Sequence, residues 1–216
     1  MKTLTSHSTI SLRLIVSGAY LSYDTAAFEK AWPITSGVLQ TTGVMKFVSP
    51  GPGFVPGKYE DNEHILVFPE SRNVHLKSPV AIDLAEPGEY RLIKRTEKLY
   101  LEAGHRVRTY LLQLNPVGRP DKHDPNKIVV IGQITFGAPI LGLIGTDDNL
   151  TATDALLGHF NGSYRKSRRG VETPRRETGT KGGRDTVILA ADQRTLILHL
   201  AAGSAQDQIR VLVAAE

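Results

Sequence analysis

"DTVILAADQRTLILHLAAGSAQDQIRVL", residues 185–212, decides the fold class. A short apolar run falls at 185–190, apolar residues alternate with polar ones over 195–200, and a third strand-like run follows at 208–213. Alternation over short segments is the period of a strand with one buried face, not of a helix. "AADQRT" at 190–195 reads as a tight hairpin turn in which Asp192 serves as a local backbone acceptor. His199 falls on the alternating strand 195–200 and reads as a strand histidine, not a ligand.

Outward from this hairpin the same signature recurs at 12–16, 37–48, 64–68, 74–76, 80–84, 88–94, 106–114, 128–136 and 140–144. These are too many strands for a minimal sheet. They suit two packed antiparallel sheets whose inner faces share one core. The expectation is an all-β chain, an antiparallel β-sandwich of jelly-roll-like form with one or two short helical turns. Those turns fall at 24–31 and 151–157, the second capped by Thr151 or Thr153. "SPGPGFVPG" at 49–57 lacks ladder donors and reads as a long exposed loop. "AEPGEY" at 85–90 reads as a turn, and "NPVGRPDKHDPNK" at 115–127 as a second polar loop.

Residues 36–216 read as a single sandwich domain with a basic loop at 164–184. Residues 1–35 form an N-terminal segment with two readings, a first strand or a degenerate leader, because Arg13 interrupts the apolar "ISLRLIVSGAYL" at 10–21. With 216 residues, 40% hydrophobic and 22% charged, the chain can bury a real core. It has no cysteine, which removes disulfides, thiolate nucleophiles and thiolate metal sites together. No apolar run reaches the roughly 20 residues that a helical membrane span needs. A net charge of +4 permits association with phosphate polymers, acidic glycans or anionic lipid.

The stretch "ITFGAPILGLIGTDDNLTATDALLG" at 134–158 resembles a pattern in uncharacterised secreted bacterial proteins, some of which carry exosortase-type carboxy-terminal anchors. "SGVLQTTG" at 36–43, "ILVFPESRNVHLKSPVAIDL" at 65–84, "GHRVRTYLLQLNPVG" at 104–118, "RGVE" at 169–172 and the opening stretch follow that pattern in order. Gln113 and Asn115 stand where the resembling sequences usually carry His and Asp. The resemblance implies an extracytoplasmic β-sandwich and transfers no active-site residue.

Two candidate sites emerge. Asp147, Asp148, Asn149 and Asp154 are hard-oxygen donors close in sequence, the type that Ca²⁺ takes, although their spacing is not that of an EF-hand. The competing reading is that they end a strand and cap a short helix. Arg165, Lys166, Arg168, Arg169, Arg175, Arg176, Lys181 and Arg184 lie in one basic stretch that would bind a polyanion with salt-dependent affinity. The competing reading there is a solvated loop. With Tyr164 alone available for stacking, sequence-specific nucleic acid is not the expected partner.

Serine elbows, phosphate loops, dinucleotide glycine fingerprints and HExxH pairs are missing from the sequence. His123 between Asp121 and Asp124 reads as a surface turn, and the sequons at Asn149 and Asn161 carry little weight. The first functional expectation is a non-enzymatic extracytoplasmic module, a homo-oligomer or filament subunit contacting other protein subunits or a cell-surface polymer. The second is a calcium-assisted carbohydrate or polyanion binder. The third is a hydrolase with carboxylates drawn from separate strands.

Overall fold

The computed structural model describes residues 38–90, 98–118, 128–171 and 185–215, all within the unit Ile34–Glu216. The expected strand at 12–16, the helical turn at 24–31 and His123 with its neighbours lie outside the described residues. The fold is an all-β sandwich. Its first sheet has the order β1 (Val38–Gly43), β8 (Ile128–Phe136), β11 (Thr195–Ala202), β10 (Thr186–Leu189) and β5 (Gly88–Tyr90), all antiparallel. The second has the order β2 (Met45–Phe47), β3 (Asp61–His75), β7 (Arg106–Asn115), β12 (Asp207–Ala214) and β9 (Ile140–Ile144). It is antiparallel except for the β2–β3 pair, which is parallel. A small ladder joins β4 (Val80–Ile82) to β6 (Leu99–Leu101), and α1 spans Asp147–Leu157.

The hairpin of the opening stretch forms β10 and β11, with Asp192 accepting the backbone N–H groups of Arg194 and Thr195 at 2.9 Å each. The expected strand at 37–48 is divided between the sheets. Gly43 makes the bend: its φ is +76° and a Cβ there would lie 2.8 Å from the Ile131 carbonyl oxygen, so only glycine fits. The chain therefore leaves the first sheet as β1 and enters the second as β2.

The two sheets bury different amounts of side chain. In the first, alternation holds: Val130, Ile134, Leu196, Leu198, Leu200, Val187 and Leu189 are buried, while Val129 and Ile131 of β8 are about half exposed, at 52% and 57%. In the second, β12 is buried at Asp207 through Val213 without interruption, and so is most of β7. One of its faces meets the first sheet, where Tyr110 lies 5.0 Å from Phe136, ring to ring. A Cβ on Gly132 would fall 2.3 Å from Met45 Sδ, so the sheets touch there through bare backbone.

The other face of the second sheet is covered too. Leu66, Phe68, Leu111, Val107 and Leu212 pack with Leu150 and Leu157 of α1, with Val80, Ile82 and Leu101 of the small ladder, and with Phe54. The molecule thus has a third layer over its second sheet. This corrects the reading of 49–57 as an exposed loop: Phe54 is 1% exposed, and its ring stacks near Phe68, Tyr59, Tyr164 and His159. It also corrects the helix, which begins at Asp147 and not near Thr151 or Thr153, with Thr146 as N-cap.

Candidate functional site

The third layer is attached through buried charge. Arg210 sits mid-strand on β12, opposite Leu111 of β7 and Ile144 of β9, and is fully buried. It shares a face with Gln208 and Leu212 and alternates with Ile209 and Val211, so its side chain leaves the sheet toward α1. Its Nε donates to Glu70 Oε2 at 2.6 Å and its Nη2 to Glu70 Oε1 at 3.0 Å. Nη2 also reaches Asp154 Oδ1 at 2.9 Å, and Nη1 reaches the Thr153 hydroxyl at 3.0 Å. One guanidinium thereby joins β3, β12 and the helix.

Glu70 can reach it because β3 carries a bulge. Pro69 pairs with Tyr110 and Ser71 with Thr109, which leaves Glu70 as the extra residue between them. The bulge lets neighbours share a face: the Ser71 hydroxyl donates to the Gly158 carbonyl at 3.1 Å, just beyond the end of α1. The Thr109 hydroxyl does the same to Leu157 at 2.6 Å.

Tyr164 and Arg169 complete the cluster from the segment after the helix. The Tyr164 phenol donates to Glu70 Oε1 at 2.6 Å and accepts the His159 N–H at 2.6 Å. Burial, and then the charge and hydrogen bond of Glu70, push that phenol far above the ordinary tyrosine range, so it stays a donor. Arg169, also fully buried, makes two bonds to Asp154 at 2.7 and 2.9 Å and lies 5.2 Å over the Tyr164 ring. Arg210 lies 5.4 Å from the same ring. Burial opposes the Arg210 charge, but Glu70 and Asp154 outweigh it and hold the guanidinium protonated.

The candidate calcium residues take separate partners. Asp147 accepts the backbone N–H groups of Arg168 at 2.9 Å, Arg169 at 2.9 Å and Gly170 at 2.8 Å. Burial alone would raise its carboxyl, but these three donors and the Arg169 charge lower it below the usual aspartate value. Asn149 turns its amide N–H to Asp83 Oδ1 at 2.7 Å, Asp154 holds the two arginines, and Asp148 is exposed on the first turn. Among the described residues no group of three or more His, Cys, Asp or Glu is placed to hold a metal ion.

Asp83, which the sequence did not single out, caps the helix from another strand connection. It accepts the N–H groups of Gly145 and Thr146 at 2.7 and 2.8 Å and the Thr146 hydroxyl at 3.0 Å.

Of the candidate polyanion residues, Arg165, Lys166 and Arg168 are exposed, and among the described residues they form no ion pair. Arg169 is a correction: it is a buried structural ion and is not presented to solvent. Arg175, Arg176, Lys181 and Arg184 lie outside the described residues. Gln113 and Asn115 form a buried amide cluster. Gln113 Nε2 donates to the carbonyls of Pro56 and Tyr59 at 3.0 and 2.9 Å, and Asn115 Nδ2 to that of Tyr59 at 3.0 Å. The cluster holds the 56–59 turn on the second sheet, and Gln208 joins it through Gln113 at 2.6 Å.

Glu70, Arg210 and Tyr164 had no signal as a group. Glu70 falls between the expected strands 64–68 and 74–76, "QIRVLV" reads as ordinary alternation with a polar outer face, and only the covering layer makes that face interior. Compared with known proteins, the chain matches no family model, no curated protein and no solved structure.

Proposed function

We propose that this protein is a non-enzymatic extracytoplasmic interaction module, a subunit that joins copies of itself by strand addition or contacts a cell-surface polymer. The observation that carries the reading is β1. It pairs with β8 on one side, and among the described residues no strand pairs with its other side. Its six residues contain no proline or lysine to block an incoming strand. The other edges are poorer: among the described residues β2 and β5 are three residues long, and β9 is covered by Asp83 and Leu84 through their bonds to Leu143. The extracytoplasmic placement rests on the resemblance of the ordered sequence blocks.

The test is light scattering or sedimentation of the purified chain across a concentration series, beside the variant Gln40→Lys with Thr42→Lys. Both side chains are exposed, so the variant folds while placing charge at the edge. Reversible association that the variant loses supports the reading. A wild type that remains monomeric throughout, like the variant, rejects it.

A second reading, polyanion or acidic-glycan binding, is favoured by the exposed Arg165, Lys166 and Arg168, which form no ion pair among the described residues. Asp147 holds the backbone of the segment that carries them. Heparin affinity should fall steeply with salt, and substitution of the three cations by glutamine should flatten that slope by about three.

A further inference from the structure

The turn after α1 presents an apolar tip, five residues ahead of the first of these cations in the chain. Phe160 is 82% exposed and Leu156 45% exposed, the first being the most exposed large hydrophobic side chain among the described residues. Scattered apolar residues on a surface are ordinary, but this one is held out on a fastened turn. Gly162 N–H donates to the His159 carbonyl at 2.8 Å, Asn161 adopts φ +62°, and Ser163 N–H donates to the Phe54 carbonyl at 2.8 Å. His159 N–H on Tyr164 fastens the other side of the turn at 2.6 Å. The backbone that carries the phenylalanine is therefore fastened to the core on both sides.

After this turn the chain runs back along the helix. The Thr151 hydroxyl donates to the Lys166 carbonyl at 3.0 Å, and the Arg169 guanidinium both donates to the Arg165 carbonyl and grips Asp154. Exposed Ala152, Ala155 and Leu156 on the helix thus lie in the same surface layer as exposed Arg165, Lys166, Ser167 and Arg168. Of the acidic groups of α1, Asp147 is spent on backbone N–H groups and Asp154 on buried arginines, while Asp148 lies at the helix start, the end that the Arg168 N–H meets through Asp147.

We propose that this layer docks on an anionic lipid bilayer, with Phe160 and Leu156 entering the interface and Arg165, Lys166 and Arg168 meeting the headgroups. A soluble polyanion satisfies the cations and leaves the aromatic in water. An apolar protein groove takes the aromatic and leaves the cations unpaired. A surface of negative lipid satisfies both at once. The proposal shares its cations with the polyanion reading and adds the apolar contact, so the test separates the two.

The full chain is incubated with phosphatidylcholine vesicles, with and without phosphatidylserine, and pelleted; heparin affinity is measured in parallel. Binding is expected only with phosphatidylserine. It should weaken about fivefold for each cation changed to glutamine and about tenfold or more for Phe160→Ser with Leu156→Ser. The apolar variant should keep the wild-type heparin affinity and thermal midpoint. Vesicle binding unchanged by the apolar variant, or heparin binding without vesicle binding, overturns the proposal and leaves polyanion recognition standing. Binding to neither overturns both.

Discussion

At the residue scale, Arg210 shows how one buried cation constrains three elements. Its net contribution relative to an apolar replacement is small, because desolvating charge offsets most of the attraction. Removing it alone is a different matter. Arg210→Met leaves Glu70 buried with one hydrogen-bond donor, Tyr164, and should cost about 3–5 kcal/mol in urea unfolding. Adding Glu70→Leu to that variant should recover part of the loss, a non-additivity readable in a double-mutant cycle. Asp147 gives a pH signature. Its folded carboxyl titrates below its unfolded value of 3.8, so its stabilisation is fully present above that value and is lost as pH falls through the lower folded value. Asp147→Asn should lower the thermal midpoint at pH 7 and shrink the further drop between about pH 5 and pH 2. The sequence offered two roles for Asp147, ion ligand or turn former, and its partners here are backbone N–H groups from a segment some twenty residues ahead. Spacing within one segment could not show that, because the partners come from a different one.

At the element scale, α1 shows why helix length was underestimated. Its first turn contains Asp147, Asp148 and Asn149, which propensity places at caps and turns, so the sequence favours a later start. Asp83 changes the outcome by satisfying N–H groups at the helix entry from outside the helix. The helix then buries Leu150, Thr153 and Leu157 and leaves Leu156 outward. Two neighbouring leucines should therefore behave differently. Leu157→Ala should cost about 2–5 kcal/mol by opening a cavity under the third layer. Leu156→Ala should change stability by less than about 0.5 kcal/mol, since it removes only solvent-facing surface. Chemical denaturation of both variants checks the orientation directly. The bulge in β3 is the other element-level surprise: a proline followed by glutamate looked like the end of a strand near Phe68, whereas β3 continues to His75 across it.

At the scale of the whole molecule, the third layer accounts for most differences between expectation and structure. A sandwich has two inner faces, and alternation finds them: β8 and β9 occupy the expected 128–136 and 140–144, and β10 and β11 keep close to theirs. β8, β10 and β11 were legible because the exposed face of the first sheet is wet. The second sheet has no wet face along β12 and most of β7, so polar residues there needed partners in place of water, and Gln113, Gln208, Arg210 and Glu70 found them. In the candidate site, only the exposed cations Arg165, Lys166 and Arg168 could be read from composition, because surface charge needs no partner to be noticed. Arg169, in the same run, could not be told from them until the fold placed Asp154 beneath it.

The sequence by itself determined the class of fold, the positions of most strands, the hairpin at Asp192 and the absence of thiol chemistry, because each follows from local period, turn residues or composition. Only the tertiary structure decided which polar residues are interior, which of the basic residues are presented, and where the helix begins. Those depend on groups far apart in the chain, and a buried charge is defined by what covers it.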